Sequence, residues 1–220
     1  MTDCAFGIAG KDWVILAADS HVEQSIVKFK TTEDKIYEMD GNKLVAAAGP
    51  QADSCQFLEF ISRNVELYSL VNGVQLTTHA LANFTRNELA DALRKGPYQV
   101  NMLIGGFDAK DGSASLYYMD YLASCQKITR GAHGYASYFV LGLLDKLYKK
   151  DMSQEEGLDA INQCIKECKN RFIIDKSNFT IKVVDKRCIT VGVVVDESNV
   201  MMMWSSNKKN NIKANKPFSQ

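Results

Sequence analysis

Thr2, Asp3, Asp19 and Lys35 are the residues whose types and spacing point to chemistry. A hydrolase can use the first residue of a processed chain as its nucleophile. The hydroxyl of a terminal threonine attacks, and its own free amine serves as base. A nearby lysine lowers the hydroxyl's pKa by charge, and an aspartate holds that lysine in place. Asp19 and Lys35 are of the right types for such a supporting pair.

Two strands and a turn must bring these groups together. The sequence predicts one short strand from Cys4 to Ala9 and a second from Trp13 to Ala18, with Gly10, Lys11 and Asp12 as a tight turn between them. Asp19-Ser20 closes the hairpin, and Lys35 follows in Glu33-Asp34-Lys35-Ile36-Tyr37. The opening combines Gly7-Ile8, Ala18-Asp19-Ser20 and Lys35-Ile36-Tyr37, and it resembles the beta subunits of the proteasome. These are N-terminal-nucleophile hydrolases. Further likeness lies in Asn83-Phe84-Thr85-Arg86, Tyr98-Gln99-Val100-Asn101 and Leu116-Tyr117-Tyr118-Met119-Asp120-Tyr121. Ala132-His133-Gly134-Tyr135 and Lys169-Asn170-Arg171-Phe172 continue it. Together they resemble the type-2 branch of the family, which takes the beta-4 position of the eukaryotic ring.

The same resemblance argues against catalysis in this chain. It places Asp19 and Lys35 on the family's supporting pair and Asp3 where the threonine nucleophile belongs. Thr2 then falls one residue early, and side chains alternate along a strand, so the shift turns its hydroxyl to the opposite face. Active members are cut at a Gly-Thr junction, and no Gly-Thr pair occurs in the sequence. Active members also carry a serine where this chain has Tyr135 and an aspartate where it has Phe172. An aromatic ring takes over neither hydrogen-bonding role and is large enough to fill the space. The expectation is a structural Asp19–Lys35 ion pair with no catalytic residue. The alternative is an active threonine-type amidohydrolase using Thr2 after loss of Met1, which requires the first strand to slip by one residue.

Composition narrows the remaining classes. At 220 residues the chain suits one domain with a substantial core. Lys plus Arg and Asp plus Glu balance at 26 each, so no global charge draws it to nucleic acid or membrane. No apolar run reaches membrane-spanning length, and Met1-Thr2-Asp3 does not read as a signal-peptide start. Six cysteines are scattered without a CxxC pair, which fits buried reduced thiols. Cys164 and Cys168 stand one helical turn apart, but no histidine at ligand spacing joins them. His21, His79 and His133 lie far apart and read as surface or satisfied core residues. No metal, cofactor or nucleic-acid partner is assigned.

Along the chain, Ser25 to Lys30, Lys35 to Met39 and Lys43 to Ala48 read as strands, the last two joined by a hairpin at Asp40-Gly41-Asn42. Pro50 opens a helix with Phe57, Ile61, Val65 and Tyr68 on its apolar stripe, ended by Asn72-Gly73. Thr77 caps a second helix, with Leu81, Phe84, Leu89 and Leu93 inside and Gly96-Pro97 as its stop. Tyr98 to Phe107, Ser113 to Tyr121 and Cys125 to Arg130 read as strands, followed by a turn at Ala132-His133-Gly134-Tyr135. A third helix starts at Tyr138 with Leu141, Leu144 and Tyr148, and Ser153 with Glu156 forms a capping box for a fourth. Asn178 to Asp185, Cys188 to Val195 and Val200 to Trp204 are β-rich.

Paired helices and hairpin-like strand connections favour an α+β fold, a four-layer αββα sandwich of two antiparallel sheets flanked by helix pairs. This is also the N-terminal-nucleophile hydrolase architecture that the resemblance implies. Residues 1–204 are expected to form one domain, and 205–220 a lysine-rich tail or arm. The resemblance further implies a non-catalytic structural subunit of the 20S core particle in the ubiquitin-proteasome pathway. Its partners would be neighbouring beta subunits, the opposite beta ring and the alpha ring, in cytoplasm and nucleus.

Overall fold

The computed structural model describes residues 3–24, 27–173, 176, 178–186, 189–195 and 205–206. The opening hairpin is β1 (Cys4–Ala9) and β2 (Trp13–Asp19). A small hairpin follows, β3 (Val22–Gln24) and β4 (Val27–Lys30). Next come β5 (Ile36–Met39), β6 (Lys43–Ala48), α1 (Gln51–Asn72) and α2 (Thr78–Ala92). The middle of the chain adds β7 (Asn101–Asp108), β8 (Ser113–Met119), β9 (Cys125–Ile128) and β10 (Arg130–Gly134). Then follow α3 (Ser137–Leu147), α4 (Gln154–Arg171), β11 (Asn178–Asp185), β12 (Ile189–Val195) and β13 (Ser205–Ser206).

Two antiparallel sheets carry the site. One has the order β10-β1-β2-β11-β12-β13, the other β5-β6-β7-β8-β9, while among the described residues β3 and β4 pair only with each other. The alternation of side chains along β1 and β2 explains their nearly unbroken apolar sequence. Ala5, Val14, Leu16 and Ala18 face the second sheet and meet Ile36, Leu44, Ala46 and Leu103 there. Phe6, Ile8, Trp13 and Ile15 face the other way, against Val140 and Leu144 of α3 and Ile161 and Ile165 of α4. A third core packs Phe57, Ile61, Leu81 and Leu89 of α1 and α2 on Val45, Met102 and Ile104. Helix pair, sheet, sheet and helix pair thus alternate with three apolar layers. Each fully buried side chain of this size contributes roughly 1.5–3 kcal/mol.

Local signals set the element ends. Asp40 and Gly41 both take positive φ, 47° and 78°, between β5 and β6. Gly73 ends α1 in the left-handed conformation, and the Thr77 hydroxyl accepts from the Ala80 amide at the start of α2. Ser153 and Glu156 cap α4 reciprocally. Gly157 lets α4 approach β2: a Cβ there would stand 2.4 Å from Trp13 Cη2. Among the described residues, no helix is long and apolar enough to cross a membrane.

Several expectations need correction. Arg130–Gly134 is a strand, β10, where a turn was expected over its last residues; it pairs with β1 from Ile8–Arg130 to Cys4–Gly134. β7 starts at Asn101, not Tyr98, because the Gln99 amide donates to Asp53 of α1 instead of to a neighbouring strand. α2 stops at Ala92, ahead of Gly96-Pro97. Tyr68 and Leu141, expected inside, are exposed, and Val140 takes the inward place on α3. Thr2, Ser25, Ile26, Cys188, Val200 to Trp204 and the tail from 207 onward lie outside the described residues.

Candidate functional site

The ends of β1, β2 and β6 converge on Lys35. At the open end of the β1–β2 hairpin, the Cys4 amide donates to Asp19 Oδ1 at 2.8 Å. This fixes the Asp19 carboxylate, which is fully buried. Lys35 precedes β5, and its Nζ lies 3.2 Å from both Asp19 oxygens. The same ammonium donates to Asp3 Oδ1 at 2.6 Å and to the His21 carbonyl at 2.7 Å. The expected Asp19–Lys35 pair therefore exists, with Asp3 as a third member.

Asp3 has a second contact. Its Oδ2 accepts from the Gly49 amide at 3.2 Å, at the end of β6. Gly134, with φ 75°, steadies the neighbouring backbone: a Cβ there would sit 1.8 Å from the Asp3 carbonyl oxygen. Asp3, His21, Glu23, Gly49, Gln51 and Gln99 line an open pocket of about 320 Å³.

Sequence reasoning missed Lys176 and Glu23. Lys176 enters from the segment between α4 and β11, is almost fully buried, and donates to Asp19 Oδ2 at 3.1 Å and to Glu23. Burial works against its charge. The Asp19 carboxylate and the hydrogen bonds to Glu23 and Asp19 outweigh burial and raise its pKa above the ordinary lysine value. Asp19 is thus bridged by two ammonium groups.

Tyr135 and Phe172, the two rings that the resemblance singles out, both make aromatic contacts. Tyr135 is half exposed, with its ring 6.4 Å from that of Tyr138. Phe172 packs edge-on to Phe139 at 5.7 Å, on the helix side of the first sheet. Both rings contact residues of α3.

The histidines separate. His133 donates from Nε2 to the Met102 carbonyl at 2.9 Å and stacks on Tyr118. Burial lowers its pKa to about 4, against that hydrogen bond. His79 sits within hydrogen-bond distance of Tyr117 and Asn83 on the surface of α2. His21 departs from the expectation of a surface or satisfied residue: it is fully buried, and neither ring nitrogen has a hydrogen-bond partner among the described residues. Burial pushes the Cys164 and Cys168 thiols up to about 12, which suits inert core residues. Among the described residues, no group of three or more His, Cys, Asp or Glu is placed to hold a metal.

The proteasome subunit family matches residues 2–184. The chain belongs to that family. Proteasome subunit beta type-2 of Oryza sativa subsp. japonica is 51% identical over 84% of this chain and 86% of its own length. Proteasome subunit beta type-2 of Dictyostelium discoideum is 50% identical over 82% of this chain and 92% of its own. Proteasome subunit beta type-4 of Saccharomyces cerevisiae is 40% identical over 84% and 93%. As a proteasome subunit, the chain has the α+β sandwich of the N-terminal-nucleophile hydrolases, with helix pairs outside two antiparallel sheets. Membership also implies assembly with other proteasome subunits.

Within the family's frame, the Lys35 end of β1 is where a nucleophile would be supported. A carboxylate is acceptor-only when ionised. It neutralises Lys35 and accepts the Gly49 N–H, a donor of the kind that stabilises an oxyanion when left free.

Proposed function

We propose that this chain is a non-catalytic beta subunit of the 20S core particle, at the beta-4 position of the ring. The observation that carries this reading is the Asp3 carboxylate on both Lys35 and Gly49, at 2.6 and 3.2 Å. One acid thereby engages the ammonium that would activate a hydroxyl and the amide that would receive developing negative charge. The likeness to beta type-2 and type-4 subunits supports the ring position.

The role is then architectural. The chain completes the beta ring, holds its catalytic neighbours in place and walls the chamber. Its partners are the adjoining beta subunits, the opposite beta ring and the alpha ring. Residues 1–204 act as one domain, with 205–220, which carries four lysines and no acid, as its tail or arm. Cytoplasm and nucleus are the compartments that go with this role.

The test treats native particles with a threonine-directed covalent probe and reads the intact mass of this chain. The reading expects no adduct while active subunits are labelled. A stoichiometric adduct on Thr2 would defeat it.

A further inference from the structure

His21 opens the stretch that leads into β3, directly after Asp19-Ser20. Its backbone holds Lys35 through the carbonyl, while its imidazole is buried with both nitrogens unpartnered among the described residues. A buried polar group without a partner is rare and calls for a physical reason. Charged groups of several elements act on this ring. Asp3, just ahead of β1, lines the same pocket, and Asp19 of β2, Glu23 of β3, Lys28 of β4 and Lys176 behind α4 all act on it. Lys35 adds a third ammonium, on the carbonyl side.

The carboxylates in this shell already serve lysines. Asp3 and Asp19 pair with Lys35, and Asp19 and Glu23 pair with Lys176. An imidazolium formed at His21 would have to share them with cations already in place. The neutral ring fits this closed arrangement; the charged ring does not.

We propose that His21 is an acid-sensitive latch: neutral, it closes the β3–β4 hairpin against the pocket, and protonated, it releases that hairpin. The hairpin is poised for release, because it pairs with neither large sheet and β4 is exposed along its length. Val27 and Phe29, both more than half exposed, move with it, so acid changes the apolar surface offered to a neighbouring chain. Burial first, then Lys28, lowers the pKa of His21 from the ordinary 6.5, against the pull of Asp19. The closed form is therefore fully favoured above that value and loses ground as the pH falls below it.

Hydrogen–deuterium exchange on the full-length chain in its assembled particle tests this, from about pH 7.5 to about pH 5 with intrinsic rates corrected. Release takes up one proton, so protection of the β3 and β4 amides should fall as the pH drops below the ordinary imidazole value, by at most about tenfold per pH unit. His21→Phe and His21→Gln should each give a flat profile, while His133→Gln keeps the slope. A flat profile in the wild type, or a slope that survives in both His21 variants, overturns the latch.

Discussion

Asp3 and Lys35 stand 2.6 Å apart, closer than Lys35 stands to either oxygen of Asp19, each at 3.2 Å. Asp3, which the proposed function puts at the nucleophile's place, is thus closer to the Lys35 ammonium than Asp19 is. Asp3→Ala leaves Lys35 to Asp19 and the His21 carbonyl. Because Asp3 is partly exposed, the loss should be about 1 kcal/mol. Thermal unfolding reads this cost, and a peptide-cleavage assay on the same variant should show no gain.

Asp19→Asn should be far more damaging. Asp19 is fully buried between Lys35 and Lys176 and also accepts from the Cys4 amide. Removing one partner of a buried ion pair costs about 3–5 kcal/mol. A denaturation midpoint close to that of Asp3→Ala would show that the two acids are not distinguished by burial.

Lys176→Met should strand carboxylate charge on Asp19 and Glu23, at a cost of about 3 kcal/mol. Adding Glu23→Gln to that variant should recover part of the loss. A double-mutant cycle measures the coupling, and simple additivity would mean that the contact carries no net energy.

His133 gives a pH dependence. Its folded pKa, about 4, lies below the ordinary 6.5, so the unfolded chain binds the proton first as the medium is acidified. Stability present above the ordinary value should therefore drain away between roughly pH 6.5 and pH 4, by up to about 3 kcal/mol. His133→Gln should make the fall of the denaturation midpoint across that window shallower.

Gly157→Ala should cost about 1–3 kcal/mol, because the added methyl meets Trp13 at 2.4 Å and α4 must back away from β2. Trp13 fluorescence should shift toward that of a wetter indole. An unchanged spectrum and midpoint would mean that the helix gives way freely.

The opening hairpin was legible because both of its strands are buried on two faces, which leaves near-continuous apolar runs bounded by Gly10 and Asp19. The Asp40-Gly41 turn and the Ser153–Glu156 cap are local signals and survive intact. β10 was hidden because Arg-Gly-Ala-His-Gly has little strand propensity of its own; its ladder with β1 makes it a strand. Lys176 was hidden for a different reason. A single lysine in a loop gives no periodic signal, and only the chain's return brings it to Asp19, 157 residues away in sequence. The contacts of Tyr135 with Tyr138 and of Phe172 with Phe139 of α3 depend on tertiary packing, which position along the chain does not show.

The proposal on which the rest depends is that this chain is non-catalytic. The most direct measurement is peptide hydrolysis by purified particles in which every other beta protomer carries a disabled nucleophile. The account predicts no hydrolysis above background. Hydrolysis that persists in those particles and disappears on Thr2→Ala would contradict it.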